Sequence, residues 1–337
     1  MLKIHFLFLL SVLFFNPLFS QNKIPSKKEV SEMTETATNL MKAGKFEKSL
    51  IKSRIALKFA TTIKDDNSIA TCYNTIAATF DELSEPDKAF FYYQKGLVYA
   101  KRTSNDKLKN WLYNNLGNIY CFDKKEYEKR IYYYTKSLEY STKNHDTTQM
   151  ILTKLNLAWA YFDIANFNKG LPYLNFINKH HSEFGDESTI VVLNMLNGMY
   201  YSYKNEPEKA TSFFETGIKQ GNKGDEKSDL SFTHQEYSKF LLKIGAFKAA
   251  YQHLAAYNTI TKALNDEDKL KKINVAGINL ELDEYKREVD IIEIKYKTKQ
   301  QVLLDKQSKN KQISIIIISS LLLIIILFYF FFQNTKL

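Results

Sequence analysis

Few residues of this 337-residue chain combine the types and spacing that chemistry requires. His180 and His181 stand close to Glu183 and Asp186, donors that suit a divalent metal. Neighbouring histidines on a polar loop are expected to be solvated, however, and no metal is expected here. His234 and His253 fall within helical periodicity and read as packed or capping side chains. Gly221 to Gly224 lacks the spacing, and the following Lys-Ser or Lys-Thr, of a phosphate-cradling loop. Cys72 and Cys121 are the only cysteines, and an oxidising compartment would let them pair. With no nucleophile, base or ligand set assembled, the expectation is a chain that is not an enzyme and carries no cofactor.

The elements that position these residues follow from a ladder. A small residue recurs at Ala37, Ala77, Gly117, Ala158, Gly198 and Ser238, in steps of 40, 40, 41, 40 and 40. Such a period signals a stacked repeat array. Three residues after each rung comes Leu40, Phe80, Tyr120, Tyr161, Tyr201 or Leu241; nine after it, or ten in the third repeat, comes Phe46, Pro86, Tyr127, Phe167, Pro207 or Phe247. Ser49, Ala89, Arg130, Gly170, Ala210 and Ala250 follow three further on, then Ser53, Tyr93, Tyr134, Leu174, Phe214 and Leu254 after four more. Steps of three, four and seven belong to helices. Gly44, Ser84 with Pro86, Asn205 with Pro207, and Gly245 mark a break between two helices in each unit. Cys72 precedes its rung by five and Cys121 follows its own by four, an offset of about 13 Å at helical rise. Bridged Cα atoms lie within about 7 Å, so two free thiols are expected.

Asn115-Leu116-Gly117-Asn118-Ile119-Tyr120 with Tyr127, and Gly198 with Tyr201, Pro207, Ala210 and Phe214, carry a resemblance to the tetratricopeptide repeat family. It covers residues 30–262 and implies an all-α solenoid of six helix pairs. The family period is about 34 residues, so the extra length of each unit is expected in polar stretches such as 61–68, 143–148 and 221–229, as longer helices and a loop on one edge. In that family the first helices line a concave groove, facing it one and four after, and three and six before, the small residue. Carried onto this chain, the resemblance implies a partner-binding groove of Asn74, Trp111, Asn114, Asn118, Leu155, Trp159, Phe162, Met195, Met199 and Lys239. Asn118 holds the place from which family members grip a peptide backbone, and a side-chain amide both donates and accepts. A second such Asn is replaced by Trp159, and Asn114, Leu155 and Met195 stand where carboxylate-clamping lysines would. Apolar walls with two amides suit a protein or peptide with large side chains.

Composition agrees with a helical array, with 14% aromatics but only 11 Gly and 5 Pro. The formal charge of +10 is spread among acidic residues without a basic block, which argues against nucleic acid as a partner.

The ends point to a membrane. Residues 1–20 read as a signal peptide, with Lys3, an apolar run over 4–15, Asn16-Pro17 and Ser20. A linker of 21–29 follows. Residues 313–332 lack any charge over 20 positions, enough to span about 30 Å of hydrocarbon, and leave a tail of 333–337. A cleaved signal would make the repeats extracytoplasmic, or periplasmic, and the tail cytoplasmic. Lys306, Lys309 and Lys311 before the span run against the positive-inside tendency, but long exported domains cross largely regardless of such charge, so export is the favoured expectation and a tail anchor with cytoplasmic repeats the alternative. Between array and span, residues 266–312 form a long charged helix with a heptad seam at Ile278, Leu282, Tyr285, Val289, Ile292, Tyr296, Lys299 and Leu303. The seam either pairs two chains as a homodimeric coiled coil or folds back on the last repeat; pairing is the favoured expectation.

This order of parts resembles the front half of bacterial membrane sensors, whose span leads into a histidine kinase or helix-turn-helix domain. With residues 333–337 alone after the span, an output domain is not expected within this chain. The expectation is a membrane-anchored receptor or co-receptor module that binds a protein or peptide and signals through a separate membrane or cytoplasmic partner. The alternative is an anchored scaffold for an envelope or secretion assembly.

Overall fold

The computed structural model describes residues 25–334 except 188 and 225–226; beyond Lys271 it describes side chains only at 298, 301–321, 324 and 326. Two compact units divide between Ile273 and Asn274. Among the described residues there are twelve helices: α1 Lys27–Lys42, α2 Phe46–Thr62, α3 Asp66–Glu82, α4 Pro86–Ala100, α5 Asp106–Phe122, α6 Tyr127–Lys143, α7 Thr147–Asp163, α8 Phe167–Phe184, α9 Thr189–Tyr203, α10 Pro207–Gly221, α11 Lys227–Lys243 and α12 Phe247–Asn334.

Each helix pair is closed by the same local device. The residue seven after the rung adopts left-handed backbone, with φ of 69° at Gly44, 57° at Ser84, 56° at Ala165, 57° at Asn205 and 80° at Gly245. In the third repeat the extra residue moves this turn to Lys125, φ 54°. One residue later the backbone N–H reaches back to the carbonyl of the large residue three after the rung, as in Glu85 to Phe80 at 2.9 Å and Asn166 to Tyr161 at 2.8 Å. That pattern satisfies helix-end carbonyls. Pro86 and Pro207 then open the second helix, where a missing N–H costs nothing. Asp65, Asn105 and Asp146 cap the first helices of the middle repeats by accepting from Ser68, Leu108 and Gln149 backbone N–H groups.

The extra length of the repeat lies in the helices. From α1 to α11 they run 15 to 18 residues, with connections of three to five, so no loop is added along one edge. His180 and His181 accordingly sit in the last turns of α8 and not in a loop. His180 packs on Phe176 with ring centroids 4.5 Å apart, and His181 Nε2 lies 2.9 Å from Thr189 Oγ1. No group of metal ligands is found among the described residues.

Rung size sets the spacing within each pair. A Cβ on Gly117 would sit 2.4 Å from Tyr134 Cε1, and one on Gly198 would sit 2.9 Å from Phe214. The two rings are 1% exposed, and burying each contributes about 2–3 kcal/mol. In the end repeats hydroxyls occupy the close approach: Ser49 Oγ donates to Ala37 O at 2.9 Å and Ser238 Oγ to Ala250 O at 2.8 Å.

The sixth pair has no break after it. Where the sequence suggests a boundary between residues 262 and 266, α12 runs on unbroken to Asn334. In the second unit, the seam side chains Ile278, Leu282, Tyr285, Val289, Ile292 and Tyr296 lie outside the described residues, and Leu303 is exposed. Residues 313–332 are helical, although the side chains at 322, 323, 325 and 327–332 lie outside the described residues. No helix is long and apolar enough to cross a membrane among the described residues. The expected signal peptide, 1–20, falls outside them as well.

Candidate partner-binding groove

Rings from three repeats meet on the inner side of the array. Phe122 at the end of α5, Trp159 on α7 and Phe232 on α11 form a triangle with centroid distances of 5.9, 5.8 and 5.2 Å. Trp159 belongs to the fourth repeat and Phe232 to the sixth, so this contact skips the fifth. Only an inner surface curved toward itself brings them together. Phe122 keeps 44% of its surface exposed, which leaves the triangle open on that side.

Polar groups surround the rings. Arg130 takes the place that a small residue fills in the other repeats and is 2% exposed. Its Nη1 donates to Asp163 Oδ2 at 2.8 Å and lies 3.2 Å from Cys121 Sγ, while Nη2 donates to Ala160 O at 3.0 Å. Burial pushes the Asp163 carboxyl up, against the opposing pull of Arg130, Lys239 and a hydrogen bond from Trp159. Glu236 is raised for the same reason, partly offset by its ion pair with Lys239. Asp81 is pushed up to about 6 by burial first and by the charge of Asp123 second, although Tyr93 Oη donates to it at 3.3 Å. Asp81 and Cys121 both stand four after a rung, in the groove register. Asp81, Asp163, Glu236, Phe122 and Phe232 were not singled out from the sequence; for Asp81 and Phe232 the spacing rule alone was enough.

The residues implied by the resemblance divide into two sets. Leu155, Phe162 and Met195 are buried in the core, 2%, 3% and 0% exposed, and Met199 is buried under the same cluster. Phe162 fills the space left by Gly170 and packs on Phe167 at 4.6 Å. These four face neighbouring helices. Trp111 is exposed, with Lys107 Nζ 5.3 Å from its ring centre, and Lys239 is exposed beside Glu236. Asn118 Oδ1 accepts from Tyr134 Oη at 2.9 Å, and Asn114 Oδ1 accepts from Asn156 Nδ2 at 3.1 Å. Both bonds use the acceptor and not the Nδ2 donors; Asn118 is half-buried and Asn114 buried. Asn74 Oδ1 is a buried acceptor with no partner among the described residues. A buried polar atom left unpaired needs an explanation. Cys72 and Cys121 are free thiols, with burial raising both, Cys72 to about 12.

No family model matches the chain, and no curated protein matches it in sequence. Solved structures do. The apo form of RapI is 15% identical with a TM-score of 0.58, over 73% of this chain and 88% of that one. NprR in complex with its cognate peptide NprX is 12% identical with a TM-score of 0.56, over 81% of this chain and 76% of that one. Aspartyl phosphate phosphatase F from Bacillus subtilis is 14% identical with a TM-score of 0.54, over 72% of this chain and 62% of that one. At such identities the likeness concerns the fold, and the repeat region is a TPR-like helical solenoid.

Proposed function

We propose that this chain is a non-enzymatic receptor or co-receptor module that holds an extended peptide, or an extended segment of a protein, along its inner groove. The observation that carries the reading is the set of amides on the first helices of the second and third repeats. Asn118 and Asn114 keep donors available while Tyr134 and Asn156 fix their carbonyl ends, and Asn74 supplies an acceptor that no described residue satisfies. An extended backbone offers the matching N–H and C=O groups, and the exposed face of Phe122, which packs on the buried Trp159, offers a seat for a large side chain. The NprR structure, similar in fold, holds a peptide. Placement completes the reading: a signal at 1–20, extracytoplasmic repeats, a seam from Ile278 to Leu303 that pairs two chains, and a span at 313–332 leading to a cytoplasmic tail.

A peptide library displayed against the full-length protein in detergent tests it. Enriched peptides should bind the native chain and lose at least tenfold in affinity to Asn118→Ala and to Trp159→Ala, with helicity unchanged. Enrichment of peptides indifferent to both substitutions would remove the groove reading. A reporter fused after Leu337 that is active only outside the cytoplasm would reverse the placement.

A further inference from the structure

The second repeat and the helix that follows the sixth are tied together. Ser84 Oγ donates to Asp268 Oδ1 at 2.7 Å, across 184 positions of sequence. Ser84 is the left-handed turn residue of the second helix pair, and Asp268 lies five turns or more along α12. The tie is part of a longer contact line. On α12 from Tyr257 onward the half-buried positions are Tyr257, Ile260, Thr261, Leu264, Asp268 and Lys271, a stripe that shares one face of the helix, while the positions between them are exposed. A helix that merely left the array would be exposed all round. Thr261 bonds Ser231 of α11 at 2.9 Å, so the stripe begins on the sixth repeat and reaches the second.

We infer that residues 257–271 of α12 form a strap that holds the groove closed, with Ser84 and Asp268 as its catch. In a stacked array each unit touches only its neighbours, and the separation of the second and sixth repeats sums small rotations over the interfaces between them. Opening the groove at Trp159 and Phe232 changes those same rotations. The strap spans both ends of that series, so the catch and the ring triangle close one and the same motion. Asp268 is suited to the role because a hydrogen bond to a carboxylate is stronger than one between neutral groups, yet it sits at the surface, where water can replace it. A peptide that enters between Phe122 and Phe232 therefore releases the catch and frees the stripe of α12. This regulation rests on the groove reading, but its test needs no peptide.

The chain has two tryptophans, so Trp111→Phe leaves Trp159 as the single emitter in the full-length protein. In that background Ser84→Ala and Asp268→Ala should each shift the opening equilibrium by about tenfold, the lower end for a hydrogen bond to a charged group. The readout is a several-fold rise in acrylamide quenching of Trp159 with a red-shifted emission, at unchanged far-UV circular dichroism. Asp268→Asn, which keeps an acceptor, should restore most of the protection. The double variant should match either single one, because both break the same bond. Unchanged quenching in both single variants, or effects that add in the double variant, would overturn the strap, and either result would leave the peptide reading standing.

Discussion

Adding one methyl group at Gly117 should change where the Tyr134 hydroxyl points, and with it the state of the groove. The new Cβ would lie 2.4 and 2.5 Å from Cε1 and Cδ1 of Tyr134, against about 3.5–4.0 Å for carbon atoms in contact. The ring must therefore move by about 1 Å. It is 1% exposed and its hydroxyl bonds Asn118 Oδ1 at 2.9 Å, so it cannot move and keep that bond. The second repeat has the alanine rung already. There the rung is Ala77, and Tyr93 sends its hydroxyl to Asp81, four after the rung, whereas Tyr134 bonds Asn118, one after its rung, and also meets Cys121, four after it. Helix propensity alone predicts that Gly117→Ala stabilises by about 1 kcal/mol. Overpacking costs about 1–3 kcal/mol and the broken hydrogen bond about 1 kcal/mol. A net loss of about 1–3 kcal/mol is expected. Tyr134→Phe isolates the bond: it should cost about 1 kcal/mol in the native chain and close to nothing beside Gly117→Ala, a coupling of about 1 kcal/mol. Urea unfolding followed by circular dichroism measures both. A higher midpoint for Gly117→Ala, or an equal cost of Tyr134→Phe in the two backgrounds, would refute the reasoning.

Two further outcomes are expected. Arg130→Ala strands the Asp163 carboxyl beside the rings and should lower stability by about 3 kcal/mol, the usual scale for breaking a buried pair; Arg130→Met with Asp163→Asn should recover most of it in thermal unfolding, and failure to recover would deny that the loss is electrostatic. His234 and His253 meet through Nδ1 atoms 2.8 Å apart, and burial, then the neighbouring ring, lowers His234 to about 4, while burial lowers His253 against the pull of Glu215. Because the folded values lie below the unfolded one, this contribution is complete above about pH 6.5 and is lost as pH falls toward 4, by roughly 1–2 kcal/mol after screening. Asp81, raised to about 6, changes stability in the opposite sense over the same range, so the test is the difference between the native chain and His234→Gln. A difference that does not vary between pH 7 and 4 would exclude the histidine pair.

Much of the architecture was legible because it is written in local and periodic signals. Gly44, Gly245, Pro86 and Pro207 announce the turns through backbone preference, and the rung at Gly117 or Gly198 announces its large partner through volume. Each depends on residues within one repeat. The candidate site was legible only in part. Spacing placed Asn118 and Trp159 on the inner helices, but the same spacing placed Leu155 and Met195 there, and only packing reveals that these two and Trp159 are covered while Asn118 is half-buried. Arg130 was visible as an exception in a column of small residues; its partner Asp163 was not, since nothing local links them.

The sequence by itself determined the repeat, the helix pairs, their turns and the register of their inner faces. Tertiary structure decided which inner residues stay open, that Trp159 meets Phe232 across an intervening repeat, and that Asp268 returns to Ser84. The physical reason is cumulative geometry: contacts between distant repeats depend on the sum of small rotations at every interface, and no single residue pattern encodes that sum.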